Sequence, residues 1–178
     1  MGQYKPVVPD KDAEYENIYQ VSIDQLVPQV ACPGEEPSIK PAAEVEGLPV
    51  NQIVMGTCSS GRFDDLRVAA DILKGKTVSS DCRMYIYPGS RAVYLEALKK
   101  GLIRVFVEAG AMVMNPGSSP FMSSQDGLLA DGERCLATTT WQIHAPKSGK
   151  AEVYLCSPAT AAASALNGAV TDPTRFVR

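Results

Sequence analysis

The sequence predicts an α/β protein: a three-layer α/β/α sandwich built on a mostly parallel sheet, preceded by an extended N-terminal arm. Three observations lead there. From residue 52 onward, short apolar runs alternate with segments of helical spacing, the pattern of strands and helices that makes a sheet covered on both faces. The connections between them are short and rich in Gly, Ser and Pro. Residues 1–48, in contrast, hold Pro6, Pro9, Pro28, Pro33, Pro37 and Pro41 among many acidic residues, a density that interrupts helices and sheet ladders alike. At 178 residues the chain can build one core with an extension. The predicted units are an arm over 1–48 and an α/β domain over 49–178.

Within the arm, partial alternation of apolar and polar residues predicts one short strand at 18–23. Ile53-Val54-Met55 then forms an apolar run ending at Gly56, and Ser59-Ser60-Gly61 offers turn and N-cap chemistry before Phe63, Leu66, Ala70 and Leu73, which keep helical spacing. A second set follows: a strand at 84–87, the turn Pro88-Gly89-Ser90, and a helix over 91–100 that stops at Gly101. Residues 102–114 fit two patterns, because Val105-Phe106-Val107 has strand character while Leu102, Val105 and Phe106 share a helical face. A short helix and then a strand at 111–114 are expected. Residues 115–124 form a Pro, Gly and Ser loop, followed by strands at 135–139 and 153–156. The last helix has the fullest end signals: Ser157 as N-cap, Pro158 where a missing N–H costs nothing, an alanine-rich run, and Asn167-Gly168 to end it.

Composition narrows the function. A formal charge of -3 and a pI near 5.2, with basic residues scattered rather than striped, exclude a phosphate-tracking face, so nucleic acid is not an expected partner. No apolar run approaches the roughly 20 residues of a membrane-spanning helix, which argues for a cytoplasmic protein without membrane contact. Cysteines stand at 32, 58, 82, 135 and 156, an odd and irregular set that reads as reduced thiols rather than a disulfide framework. There is no C-x-x-C pair and His144 is the only histidine, so no metal site is predicted.

Three loops fall at predicted C-terminal strand ends, where such sheets usually meet their ligands: Gly56-Thr57-Cys58-Ser59-Ser60-Gly61-Arg62, Pro88-Gly89-Ser90 and Asn115-Pro116-Gly117-Ser118-Ser119-Pro120-Phe121. Further along the chain stand Glu108-Ala109-Gly110, Gly132-Glu133-Arg134-Cys135 and Ser157-Pro158-Ala159-Thr160-Ala161-Ala162, and in the arm Pro28-Gln29-Val30-Ala31 and Glu44-Val45-Glu46-Gly47. In order and spacing these elements resemble the third domain of aconitase-superfamily hydro-lyases, of the 3-isopropylmalate dehydratase and homoaconitase large-subunit type. The resemblance covers nearly the whole chain. It implies a lyase of amino-acid biosynthesis type, dehydrating or isomerising hydroxy carboxylates with a 4Fe–4S cluster as Lewis acid. It also implies partners, either separate aconitase-like domains or a small subunit.

The cofactor prediction departs from that family. Of the three cluster-ligand positions the resemblance identifies, only Cys58 keeps its thiol; Ser118 and Phe121 replace the others. Phenylalanine has no donor atom, and a serine oxygen is a poor substitute for the soft thiolate these clusters use. No cofactor is therefore predicted for this chain. The resemblance implies two arginines that hold substrate carboxylates; Trp141 falls where the first is expected and Pro146 is near the second, while Lys147 and Lys150 bring charge without a guanidinium fork. The implied function is a hydro-lyase-like domain, cluster-free and inactive as an isolated chain. The alternatives are a subunit of a composite hydro-lyase acting with separate partner chains, and a non-catalytic scaffold or regulatory domain.

Each candidate residue has a plainer explanation beside the functional one. Cys58, between a strand and a helix start, is a metal ligand or reactive thiol on one account and a small half-buried residue on the other. Ser59, Ser60, Gly61 and Arg62 could bind an anion at a helix N-terminus, or merely form and cap the turn. Ser90, Ser119 and His144 complete the substrate-binding candidates, although Ser118 and Ser119 lack a neighbouring base in sequence and a lone histidine is ordinarily a surface residue. Met114, Phe121 and Met122 are expected near solvent, which predicts a homodimer through Phe121.

Overall fold

The computed structural model describes residues 5–34, 38–117, 129–139 and 151–176. Among the described residues, seven strands form one mixed sheet: β1 (Gln29–Cys32), β2 (Ser38–Pro41), β3 (Gln52–Gly56), β4 (Arg83–Tyr87), β5 (Met112–Val113), β6 (Arg134–Ala137) and β7 (Glu152–Cys156), in the spatial order β2-β1-β7-β6-β3-β4-β5. The β7-β6-β3-β4-β5 pairings are parallel, while β1 joins β7 and β2 antiparallel. The fold is α/β with a mostly parallel sheet. The described helices are α1 (Thr57–Ser60), α2 (Phe63–Leu73), α3 (Arg91–Lys99), α4 (Leu102–Glu108) and α5 (Pro158–Asn167).

Strand alternation sorts the core into two clusters. Ile53, Met55, Met84, Ile86, Leu136 and Tyr154 point to one face and pack with Leu66, Leu73, Phe106 and Ala161 from the helices. Val54, Tyr87, Cys135 and Ala137 point to the other, with Leu129 and the half-buried Tyr85, Val153 and Leu155. Each fully buried Leu or Phe contributes roughly 2–3 kcal/mol of transfer free energy. Helices α2 and α5 pack closely because their facing residues are small: Ala69 and Ala70 on one, Ala161, Ala162 and Ala165 on the other. Helices α2, α3, α4 and α5 belong to the first face; the expectation of helices over the second falls outside the described residues.

Local signals placed most elements. Ser157 Oγ accepts the Thr160 N–H at 3.1 Å and Pro158 opens α5, which ends at Gly168 with φ 63°. Ser90 Oγ caps α3 through the Val93 N–H at 3.2 Å. Residues 102–114 resolve as predicted into helix α4 and strand β5.

Two expectations are corrected. No strand forms at 18–23; Ile18, Tyr19, Val21 and Ile23 are exposed and only a 3-10 turn, Ile23–Gln25, follows. Alternation alone cannot make a strand without an edge to pair with, and the edge of β7 is taken by β1. Strands β1 and β2, in contrast, lie between prolines. Pro28 and Pro33 flank β1, and Pro41 closes the outer strand β2, where a missing N–H breaks no ladder. Val30 and Ala42 are fully buried, and both strands contribute to the sheet. The second correction concerns the start of α2. Its N-cap residue is Arg62, whose N–H donates to the Asp65 carboxylate at 3.2 Å, while Ser59 and Ser60 bond elsewhere.

Candidate functional site

The sheet winds outward from β3 in both directions: β4 and β5 follow on one side, β6 and β7 on the other. Such a reversal separates the loops that leave the C-terminal ends of β3 and β6, and crevices of α/β sheets open there. The residues at this place are Gly56–Arg62 after β3 and Thr138-Thr139 after β6.

The turn after β3 is tightly constrained. Gly56 has φ 99° and ψ -123°, a region open only to glycine. A Cβ there would also overlap the Tyr87 carbonyl oxygen. Thr57 follows at φ 76°, the one non-glycine with positive φ among the described residues, and is completely buried. A β-branched residue in this region stores about 1–3 kcal/mol of strain, which persists only where the surroundings over-determine it. Those surroundings are visible: Gly61 N–H donates to Thr57 O at 2.8 Å, Gly61 O accepts the Gly89 N–H at 2.8 Å, and a Cβ on Gly61 would sit 2.6 Å from Gly89 N. The turn and the Pro88-Gly89-Ser90 loop are thus packed backbone to backbone. Between these anchors the chain presents Cys58, which is exposed, at the end of the central strand.

Beside this turn lies a cleft of about 570 Å³ between the start of α3 and the loop after β5, lined by Ser90, Arg91, Tyr94, Asn115, Pro116 and Gly117.

The other thiols differ from Cys58 in surroundings. Cys82 and Cys135 are buried near the opposite, N-terminal ends of β4 and β6, and desolvation pushes both up to about 12. Burial also pushes the Cys156 thiol up. All three are held neutral and are poor ligands or nucleophiles in the folded chain. The Gly132-Glu133-Arg134-Cys135 element sits at that same far end. Glu133 accepts two bonds from Arg83, at 2.7 and 2.9 Å, and one from the Ala130 N–H, and Arg134 pairs with Glu152 at 2.7 Å. The Arg83 hydrogen bond holds the Glu133 carboxyl below its ordinary range.

Of the predicted site residues, the structure brings Cys58, Ser59, Ser60, Gly61 and Arg62 into one turn and sets Ser90 across Gly89 from it. Ser60 donates to Gly56 O at 2.6 Å and Ser90 caps α3, so both hydroxyls serve local structure. Ser118, Ser119, Phe121, Trp141 and His144 lie outside the described residues, as does the predicted contact through Phe121. Thr57, Thr138 and Thr139 were not singled out by sequence reasoning. Positive φ at Thr57 leaves no trace in composition, and Thr138 and Thr139 read as the last residues of the predicted strand at 135–139.

The model of the aconitase family (aconitate hydratase) matches residues 34–168. The chain is 48% identical over 177 residues to 3-isopropylmalate dehydratase large subunit 2 of Archaeoglobus fulgidus, covering 99% of this chain and 42% of that protein. It is 43% identical over 174 residues to 3-isopropylmalate dehydratase large subunit 1 of Methanopyrus kandleri, covering 97% and 42%. To a probable methanogen homoaconitase large subunit of Methanosarcina mazei it is 42% identical over 176 residues, covering 99% and 44%. The chain therefore spans about two fifths of the length of the curated relatives it matches.

Proposed function

Since the chain belongs to the aconitase family, we propose that it supplies the cysteine-turn domain of a hydro-lyase of the 3-isopropylmalate dehydratase or homoaconitase large-subunit type, and that alone it is cluster-free and inactive. The reaction in view is dehydration or isomerisation of a hydroxy carboxylate in the cytoplasm. It needs chain beyond this domain, because the matched relatives are more than twice as long. Their names as large subunits support a separate small subunit as partner. No helix among the described residues is long and apolar enough to cross a membrane.

The cluster-free reading rests on one observation, the donor set. A 4Fe–4S cluster bound by three thiolates would supply Lewis acidity to the substrate hydroxyl, but this chain offers it one exposed thiol, Cys58. The sequence has Ser118 and Phe121 at the other two positions, and Cys82 and Cys135 lie at the far end of the sheet with neutral thiols. These residues do not fit the cluster. Anaerobic incubation with iron and sulfide should leave the wild-type chain without a stable visible absorption band, whereas the double variant Ser118→Cys, Phe121→Cys should gain one. Binding of about four irons per wild-type chain, lost on Cys58→Ser, would overturn the proposal.

A further inference from the structure

Backbone pairing between β3 and β6 stops before it reaches the Cys58 turn. The ladder joins Gln52 to Cys135, Ile53 to Leu136 and Val54 to Ala137, and the Thr138 N–H still donates to Val54 O at 3.1 Å. Beyond that point side chains take over. Gly56 N–H donates to Thr138 Oγ1 at 2.9 Å, and Ser60 Oγ lies 3.4 Å from the same oxygen. Thr139 Oγ1 lies 3.2 Å from Ser59 Oγ and accepts from Thr57 Oγ1 at 3.4 Å, and its side chain is buried. Two hydroxyls just past the end of β6 thus engage the turn around Cys58, Thr139 the residues immediately before and after it and Thr138 the next ones out, some 80 positions away in sequence.

We propose that Thr138 and Thr139 are positioning residues that hold Cys58 in place. The chemistry favours hydroxyls at this spot. The β3–β6 ladder ends at Val54 and Ala137, and beyond it the Gly56 N–H meets the Thr138 hydroxyl rather than a backbone carbonyl of β6. A hydroxyl on a rotatable side chain can reach it and remains able to donate or accept toward a second partner, as Thr138 does toward Ser60. Thr139 works on the strained residue. Its contacts to Thr57 and Ser59 close the hydroxyl cluster around the positive-φ position, so the turn keeps one conformation and Cys58 is presented in one direction. The assignment concerns the turn itself and is independent of whether the turn carries iron.

The test uses the full chain with valine, which removes the hydroxyl at nearly constant shape, and serine, which keeps it. Gly56 amide exchange is followed by NMR, and Cys58 alkylation by iodoacetamide is followed by peptide mass. Thr138→Val should speed Gly56 exchange by roughly fivefold, the scale of one hydrogen bond. Thr138→Val and Thr139→Val should both speed Cys58 alkylation, and the serine variants should return both rates to wild type. Thr171→Val, which removes a buried hydroxyl bonded to Asn167 and Ala169, should lower the melting temperature without changing either rate. If a valine variant fails to fold, alanine at that position carries the same comparison. Wild-type rates in the valine variants, equal changes in Thr171→Val, or failure of serine to rescue would each overturn the assignment.

Discussion

Gly56 and Tyr87 face each other at the C-terminal ends of the parallel strands β3 and β4, and the Tyr87 carbonyl oxygen occupies the space a Cβ on Gly56 would need. The contact fixes how far the Cys58 turn can rise from the sheet. Replacing Gly56 by alanine combines backbone strain with collision against backbone that cannot move aside, so Gly56→Ala should cost about 3 kcal/mol or more. Gly110 is the control: its φ is 88° but nothing lies within 4 Å of a Cβ there, and Gly110→Ala should cost only about 1 kcal/mol. Urea denaturation of the two variants separates the terms. Equal losses would show that conformation, not space, governs Gly56.

The buried thiols predict an alkaline limb. Cys82 and Cys135 rise from 9.0 to about 12 through desolvation, so the folded state retains protons that the unfolded chain releases. Their contribution is fully present below pH 9 and is lost as pH rises towards about 12. Cys135→Ala should flatten that limb while lowering stability at neutral pH through the cavity it leaves. In the native chain at mildly alkaline pH, iodoacetamide should label Cys58 before Cys82 or Cys135. Early labelling of Cys135 would refute its burial.

The Glu133–Arg83 pair predicts the opposite slope in acid. Because the Arg83 hydrogen bond lowers the Glu133 pKa, the stability it confers is present above the unfolded carboxylate's pKa of about 4.3 and is lost as pH falls through the depressed folded value. Glu133→Gln should lose about 1 kcal/mol at neutral pH and show a shallower acid limb. A stability curve parallel to wild type across acid pH would contradict this.

The limit of the arm can be tested by truncation. Removing residues 1–27, whose described side chains are exposed, should leave a cooperative melt near the wild-type temperature. Removing residues 1–48 also takes β1 and β2 with the fully buried Val30 and Ala42, and should cost roughly 3 kcal/mol or more. Thermal unfolding by circular dichroism reads both. Equal melting temperatures for the two truncations would place the arm's end at 48.

What was legible in the sequence was what is local in space. Helix α2 announces itself through Phe63, Leu66, Ala70 and Leu73, and α5 through Ser157, Pro158 and Gly168, because period and capping act within a few residues along the chain. Cys58 could be placed at a strand end for the same reason. Tertiary structure alone decided which strands pair and what surrounds the thiol. Residues 18–23 and 29–32 differ little in local preference, and only the second finds the open edge of β7. Thr138 and Thr139 meet the Cys58 turn across a parallel pairing whose partners are some 80 residues apart, and a contact of that kind is set by register rather than by any nearby residue. The strained φ of Thr57 belongs with them: a single residue does not choose it, and here the hydroxyls and glycines packed around it impose it.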